Sequence, residues 1–283
     1  MAENPVPVRK PRTPIELQVR STERVGPHLI RVVAGGDGYR HFRDNGFTDA
    51  YVKVLFPKPG VTYPEPFDME TIRAELPRED WPRTRTYTVR AHNPRTNEIT
   101  IDFVHHGDEG LAGPWAASAV PGDTLRLLGP GGAYAPNPEA DWHLFVGDES
   151  AYPAISASLE RLPATAKAIA ILEVGSADEQ PPGTAPVTHP GLDLTITWVT
   201  RDAGPTLVDA LRAADFPTGR VHAFVHGEAG TAKELRRHLI EDRGIDRADL
   251  SWSGYWRKGR DEDGFQADKA ADKAAERGAG KRG

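Results

Sequence analysis

The pattern of this chain changes once, near residues 133–138, and that change limits what it can fold into. Before it run short segments rich in β-branched, aliphatic and aromatic residues: Ile15–Arg20, Leu29–Val33, Tyr51–Phe56, Arg85–Arg90, Ile99–Val104 and Thr124–Leu128. Asn93-Pro94, Pro121-Gly122-Asp123 and Gly129-Pro130-Gly131-Gly132 punctuate them. Short strands with turn residues between them predict a closed barrel or a sandwich, and an antiparallel Greek-key β-barrel over residues 14–135 is the expected form. Two interruptions are expected: a short helix at Gly113–Ala119, and a loop from Pro57 to Pro82 with a helical turn at Met69–Leu76. After the change, strands and helices alternate. His143–Val146 leads into Ala151–Leu162, Ala168–Val174 stands alone, Leu194–Val199 precedes Leu207–Ala213, and Val221–His226 precedes Ala232–Asp242. That alternation predicts an α/β sandwich with a parallel sheet over residues 140–258. Ala133-Tyr134-Ala135-Pro136-Asn137-Pro138 reads as the hinge. Residues 1–13 read as a flexible start, and 259–283 as a charged tail, helical and then disordered.

Composition narrows the chemistry. The formal net charge of −6 argues against nucleic acid, which needs a basic face. The absence of cysteine removes disulfides, thiolate iron–sulfur ligation and thiol redox chemistry together, so electron transfer would need a bound cofactor. No apolar run approaches the ~20 residues that span a bilayer. Met1–Lys10 lacks the apolar core of a signal peptide, so no membrane insertion is expected and the cytoplasm is the simplest address. The ten histidines are scattered. The one adjacent pair, His105-His106, would point to opposite faces of a strand, so no metal site is expected.

Arg85-Thr86-Tyr87-Thr88-Val89-Arg90 is the most informative segment. Alternation puts Arg85, Tyr87 and Val89 on one face and Thr86, Thr88 and Arg90 on the other. Such residues also simply make good strands. The functional reading is that the strand lines a flavin. Tyr87 would cover the ring, Arg85 would hold the pyrophosphate with its planar fork, and Thr88 would bond the reactive edge, through its backbone if the strand keeps its alternation. Downstream, Val104-His105-His106-Gly107 and Gly110-Leu111-Ala112-Gly113-Pro114-Trp115 form a glycine-rich turn entering a helix, a site for phosphate or an ordinary cap, with Pro114 suited to the first helical position. In the second half, Gly147-Asp148-Glu149-Ser150 makes a strand–turn–helix with Ser150 as N-cap, but its acids oppose a phosphate and no Gly-x-Gly-x-x-Gly is present. Thr231 and Glu234 form a capping-box pattern, and Gly227 and Glu228 stand at a strand's C-terminal end, where open sheets bind ligands.

Tyr51-Val52-Lys53-Val54-Leu55-Phe56-Pro57, Arg85–Arg90, Asp102-Phe103-Val104, Trp115-Ala116 with Pro121-Gly122-Asp123, Gly147–Ala151, Leu162-Pro163 and Gly254-Tyr255-Trp256-Arg257 resemble, in order and spacing, the siderophore-interacting proteins. These are FAD-dependent ferric-siderophore reductases of the ferredoxin-reductase-like class, and the resemblance covers about residues 14–260. It implies an FAD site formed by Arg85, Thr86, Tyr87, Thr88, Asp102, Val104, His106, Gly110, Ala112, Gly113 and Trp115, with Tyr255 and Trp256 either closing over the flavin or packing the domain interface. The family often has Ser or Thr where this chain has Gly113. It implies a donor site at Asp148, Glu149, Ser150 and Ala151, with Gly227 and Glu228 as neighbours. The donor would be NADH or NADPH, or else ferredoxin. The acidic run Gly175-Ser176-Ala177-Asp178-Glu179 after the second strand favours NADH, since a 2′-phosphate wants Arg or Lys there. The substrate would be a ferric siderophore whose iron arrives already chelated. Lys53, then Arg257 and Lys258, would attract its negative charge. No general acid or nucleophile is needed. Two alternatives are a reductase serving a protein redox partner, and a siderophore-binding module with a vestigial flavin.

Overall fold

The structure is a computed structural model that describes residues 14–177, 190–260 and 264–265. The expected flexible start, Asp178 and Glu179, and most of the expected tail helix lie outside the described residues.

Seven antiparallel strands make the first sheet: β1 (Ile15–Gly26), β2 (Leu29–Gly35), β3 (Tyr51–Phe56), β4 (Arg83–Thr88), β5 (Ala91–Asn93), β6 (Glu98–Val104) and β7 (Thr124–Gly131). Their order is β4-β3-β7-β1-β2-β6-β5. The outermost strands β4 and β5 are separated in sequence by Val89 and Arg90 alone, so the sheet has to curl until its edges meet. The Arg90 amide closes the ring by donating to the Thr100 carbonyl of β6 at 2.9 Å. Alternating residues fill the barrel: Ile15, Leu17 and Val19 from β1, and Ile99, Ile101 and Phe103 from β6. Within the proline-rich loop, α1 (Met69–Glu75) is capped by Asp68, which accepts from the Glu70 and Thr71 amides. A second helix, α2 (Ala112–Ser118), lies against the end of β6.

The second sheet is wholly parallel, in the order β10-β9-β8-β11-β12. Its strands are β8 (Trp142–Gly147), β9 (Lys167–Val174), β10 (Asp193–Thr200), β11 (Val221–Glu228) and β12 (Leu250–Trp256). Central β8 is buried along its whole length, as a strand covered on both faces must be. Helix α3 (Tyr152–Arg161) packs Ile155 and Leu159 with Phe145 and Phe224 on one face. On the other, α4 (Leu207–Ala213) and α5 (Ala229–Arg237) pack Leu211 and Leu235 with Leu144 and Val146. Strands β5 and β12 lack a sequence signal. One is three residues long, and the other, Leu-Ser-Trp-Ser-Gly-Tyr-Trp, is an edge strand diluted by serine and glycine.

The domains meet along α3. Ser158 donates to Thr48 (2.7 Å), and Arg90 forms an ion pair with Glu160. The expected hinge is pinned. Asp49 accepts from the Ala133 and Tyr134 amides, both at 2.8 Å. Tyr134 is buried with its ring 4.8 Å from Phe224 and 4.7 Å from His222.

His143 on β8 is 2% exposed, and its Nδ1 has no hydrogen-bond partner among the described residues. Burial, with His222 adding to it, pushes its pKa down to about 4. Protonation therefore favours the unfolded chain. The contribution of neutral His143 is complete above the ordinary pKa of about 6.5 and is lost as pH falls towards 4. Denaturant titrations should show stability falling by about 3 kcal/mol across that window. His143→Phe is expected to flatten much of this slope.

Candidate functional site

Alternation on β4 sets Arg85 and Tyr87 opposite Val54 and Val52 of β3, and Thr86 and Thr88 opposite Lys53 and Tyr51. Half-buried Tyr87 rests on Phe103 (centroids 4.4 Å, tilted 46°), Phe103 on Trp115 (5.5 Å), and Trp115 edge-on to Phe56 (5.7 Å). Phe103 and Phe56 thus brace two rings, Tyr87 and Trp115, that keep part of their surface exposed. Arg85 stands on the Tyr87 side, with Nη1 donating to the Thr84 carbonyl at 2.8 Å. Thr88 is buried on the other face.

Helix α2 begins at Ala112, so Pro114 occupies its third position, not the first. Leu111 precedes it and offers no side-chain cap, leaving the first amides without a side-chain acceptor. Gly107 and Gly110 turn the chain with φ of +65° and +84°. Gly113 has a different reason to be glycine. A Cβ there would stand 2.9 Å from the Val104 carbonyl oxygen and 3.1 Å from His105 Cα. The serine or threonine common at this position would aim its Cβ into the backbone of β6. A half-exposed aromatic shelf, a planar cation and uncapped amides fit a flat ring carrying a diphosphate, which is the chemistry of FAD.

Other assigned residues stand elsewhere. Asp102 and Val104 point away from Phe103, on the opposite face of β6. Asp102 is 3% exposed and is held by Arg31 through two hydrogen bonds of 2.7 and 2.8 Å, while Val104 packs into the α3 core. The ring of His106 lies 5.4 Å from that of His28. His28 Nδ1–H donates to the His105 carbonyl (3.0 Å), since a carbonyl can only accept.

In the parallel domain one carboxylate joins three strand ends. Asp148 Oδ1 accepts from the Ser150 amide (2.9 Å) and hydroxyl (2.5 Å); Oδ2 accepts from the Glu228 amide (2.8 Å) and the Trp256 indole (2.8 Å). Gly227, at φ +143°, makes room for it, since a Cβ would stand 2.6 Å from Oδ2. Ser150 is therefore not the N-cap of α3. Ala151 is, without a side-chain bond, because the Ser150 hydroxyl is turned to Asp148. The Thr231–Glu234 capping box does not form either. Helix α5 starts earlier, and Glu228 caps it by accepting from the Thr231 amide at 2.9 Å.

Strand β12 brings Tyr255 and Trp256 to the seam between domains. The Tyr255 ring meets His226 at 4.9 Å. Burial raises its phenol pKa, and the negative charges of Asp49 and Asp148 add to this, so its hydroxyl stays protonated. Arg257 follows, 6.0 Å over the Phe265 ring, then Lys258, whose amide faces Glu228. Lys53 is exposed on β3. Sequence reasoning missed Asp49, Arg31, Glu173 and Arg201. The last two stand at or just past strand ends, which was the available signal.

Comparisons with known proteins agree with this geometry. A model described as a siderophore-interacting FAD-binding domain matches residues 18–134, and one described as siderophore-interacting protein matches residues 140–259. The chain is 34% identical over 250 residues to a ferric vibriobactin reductase of Vibrio cholerae, covering 87% of this chain and 90% of that one. It is 30% identical over 251 residues to an NADPH-dependent ferric-chelate reductase of Escherichia coli, covering 85% and 92%. The crystal structure of a siderophore utilization protein from T. fusca superimposes with a TM-score of 0.73 at 35% identity, covering 89% and 95%. Barrel and parallel sheet together define a ferredoxin-reductase-like fold with an FAD-binding domain. Within that class, the chain belongs to the siderophore-interacting protein family.

Gly113→Ala must lift α2 from β6. The expected cost is ~1–3 kcal/mol in denaturant unfolding, together with poor FAD retention on purification. Gly110→Ala, with nothing within 4 Å of its Cβ but a positive φ, should cost only ~1 kcal/mol in the same unfolding.

Proposed function

We propose that this protein reduces ferric siderophores with FAD, taking electrons from a reduced nicotinamide, with NADH favoured over NADPH, and releasing iron as Fe(II). Ferredoxin is the alternative donor. The observation that carries the reading is the half-exposed Tyr87–Trp115 shelf beside Arg85, in a chain whose halves match FAD-binding and siderophore-interacting domains. Relatives named as ferric vibriobactin reductase and ferric-chelate reductase support the substrate class. No helix among the described residues is long and apolar enough to cross a membrane, and a cytoplasmic protein acting on imported chelates fits the reading.

The residues divide the work. Tyr87 and Trp115 support a ring system, and Arg85, Gly110, Ala112 and Gly113 lie where a diphosphate would be held. Thr86 and Thr88 extend the same strand. Trp256, fixed through its indole N–H to Asp148, and protonated Tyr255 bound the seam from the parallel domain. Gly227 and Glu228, with the turn Asp148–Ala151, form the adjoining strand ends where the donor would approach. Lys53, Arg257 and Lys258 supply positive charge to an otherwise acidic protein, suited to an anionic chelate. Bound FAD supplies the change from a two-electron donor to a one-electron acceptor, so each nicotinamide serves two Fe(III) ions. Fe(II) leaves because hard oxygen chelators hold it weakly.

The purified protein should be yellow, and anaerobic NADH should bleach its flavin absorbance. Ferric siderophore should then restore the colour as Fe(II) is trapped by a ferrous chelator. Lys53→Ala and Arg257→Ala should each raise the KM for ferric siderophore ~3–10-fold with kcat little changed. A colourless protein that still binds siderophore tightly would overturn the reductase reading.

A further inference from the structure

The outward side chains of β3 are Tyr51, Lys53 and Leu55, and their cover differs. Leu55 is buried under Phe67, Met69 and Ile72 around α1. Tyr51 lies outside that cluster and is 40% exposed. Its ring is nevertheless held on one side. It rests on the backbone of Gly131, its cross-strand partner on β7. A Cβ on Gly131 would stand 2.5 Å from Tyr51 Cζ and 2.6 Å from the hydroxyl oxygen. Gly131 is not in the left-handed region, so room for this ring is its reason to be glycine.

Its neighbours tie Tyr51 to the flavin strand and to the seam. Tyr51 pairs with Thr88 of β4, and Lys53 with Thr86. Burial first, then Asp49, Asp148 and Tyr51, raise the phenol pKa of Tyr255, so the two phenols are neighbours across the seam. Lys53 stands on the same face of β3, about 7 Å along the strand. It is exposed and has no ion pair among the described residues. A ring braced on one face and open on the other, beside an ammonium, fits a flat aryl group that carries negative charge. Among hard-oxygen iron ligands, catecholate is such a group and hydroxamate is not. A ferric complex of catecholates stays strongly anionic, whereas singly charged hydroxamates only neutralise Fe(III). We propose that Tyr51 is a specificity residue: its open face stacks on an aryl ring of the chelate while Lys53 meets the chelate's charge, so that this protein selects ferric catecholates over ferric hydroxamates. This rests on the reading that a ferric siderophore is the substrate, and it adds the side chain that chooses among siderophores.

The two side chains act on different properties of the ligand. Lys53 attracts any anionic chelate, whatever its ligand groups. Tyr51 responds to the ring and not to the charge, and it does so through its own ring, so the hydroxyl is dispensable. A tyrosine that covers a cross-strand glycine also steadies a sheet. That role alone would appear in unfolding and would leave the choice of chelate unchanged.

The test uses FAD-loaded full-length protein and Ga(III) complexes. These keep the shape and charge of the ferric ones but are not reduced, so affinity is read apart from the reduction potential of the iron. Three probes separate ring from charge in calorimetry: Ga(III) enterobactin, an anionic catecholate; Ga(III) citrate, anionic without a ring; and Ga(III) ferrichrome, a neutral hydroxamate. The wild type should bind the enterobactin complex at least about tenfold tighter than the ferrichrome complex. Tyr51→Ala should weaken enterobactin ~3–10-fold and move the other two less than ~twofold. Tyr51→Leu still covers Gly131 but has no ring, and should behave as Tyr51→Ala does; Tyr51→Phe should match the wild type. Lys53→Ala should weaken enterobactin and citrate alike. If Tyr51→Leu weakens all three complexes equally, or none, or if the wild type prefers ferrichrome, the specificity role is overturned while turnover of a ferric siderophore keeps the reductase reading intact. If no Ga(III) complex binds and the reduced flavin passes electrons to no ferric siderophore, role and reading fail together.

Discussion

Asp49 holds the crossing between the two domains and Asp148 holds the strand ends of the parallel one, and the seam depends on both. Each is a buried acid that accepts from two backbone amides, and Asp148 also accepts from the Ser150 hydroxyl and the Trp256 indole. Asp49 fixes the crossing into the parallel domain, and Asp148 ties the turn after β8 to the ends of β11 and β12. Burying a carboxylate is costly unless charge-assisted hydrogen bonds satisfy it, so neither can be moved without stranding several donors. Tyr255 lies within the electrostatic reach of both acids.

Acid also changes the sense of the first turn of the parallel domain. In many nucleotide-binding sheets that turn is an open nest of amides awaiting phosphate. Here Asp148 fills it from within. Anion binding is left to the barrel side, where α2 has no cap and Arg85 stands near. The division suits a flavoprotein that holds its resident nucleotide on one domain and admits a transient one on the other.

Much of this was legible in the sequence where periodicity and turn chemistry agreed. Tyr51–Phe56 and Leu207–Ala213 fall at their expected bounds, and Arg85 and Tyr87 share a face because a strand alternates. Other parts depend on contacts that no local pattern encodes. Gly113 looked like a missing hydroxyl until its distance to the Val104 carbonyl was visible. Ser150 reads as a cap from its neighbours in sequence, yet its hydroxyl goes to Asp148. Thr231 and Glu234 fit a capping box, but Glu228 starts the helix one residue ahead of Ala229. Asp102 matched the family's strand while its carboxylate was already committed to Arg31, four strands away in sequence order but adjacent in the sheet. Strand β12 was missed because an edge strand can carry serine and glycine where a central one cannot.

The order of strands in the barrel has a consequence for its biogenesis. Strand β1 lies between β2 and β7, pairing Ile15 with Leu127. A chain emerging from the ribosome can form the β1–β2 hairpin at once, but the β1–β7 ladder has to wait until Leu127 has left the exit tunnel. Until then β1 has one open edge. By that moment Tyr87 and Arg85 are already outside, so the barrel that carries them closes only after they have emerged.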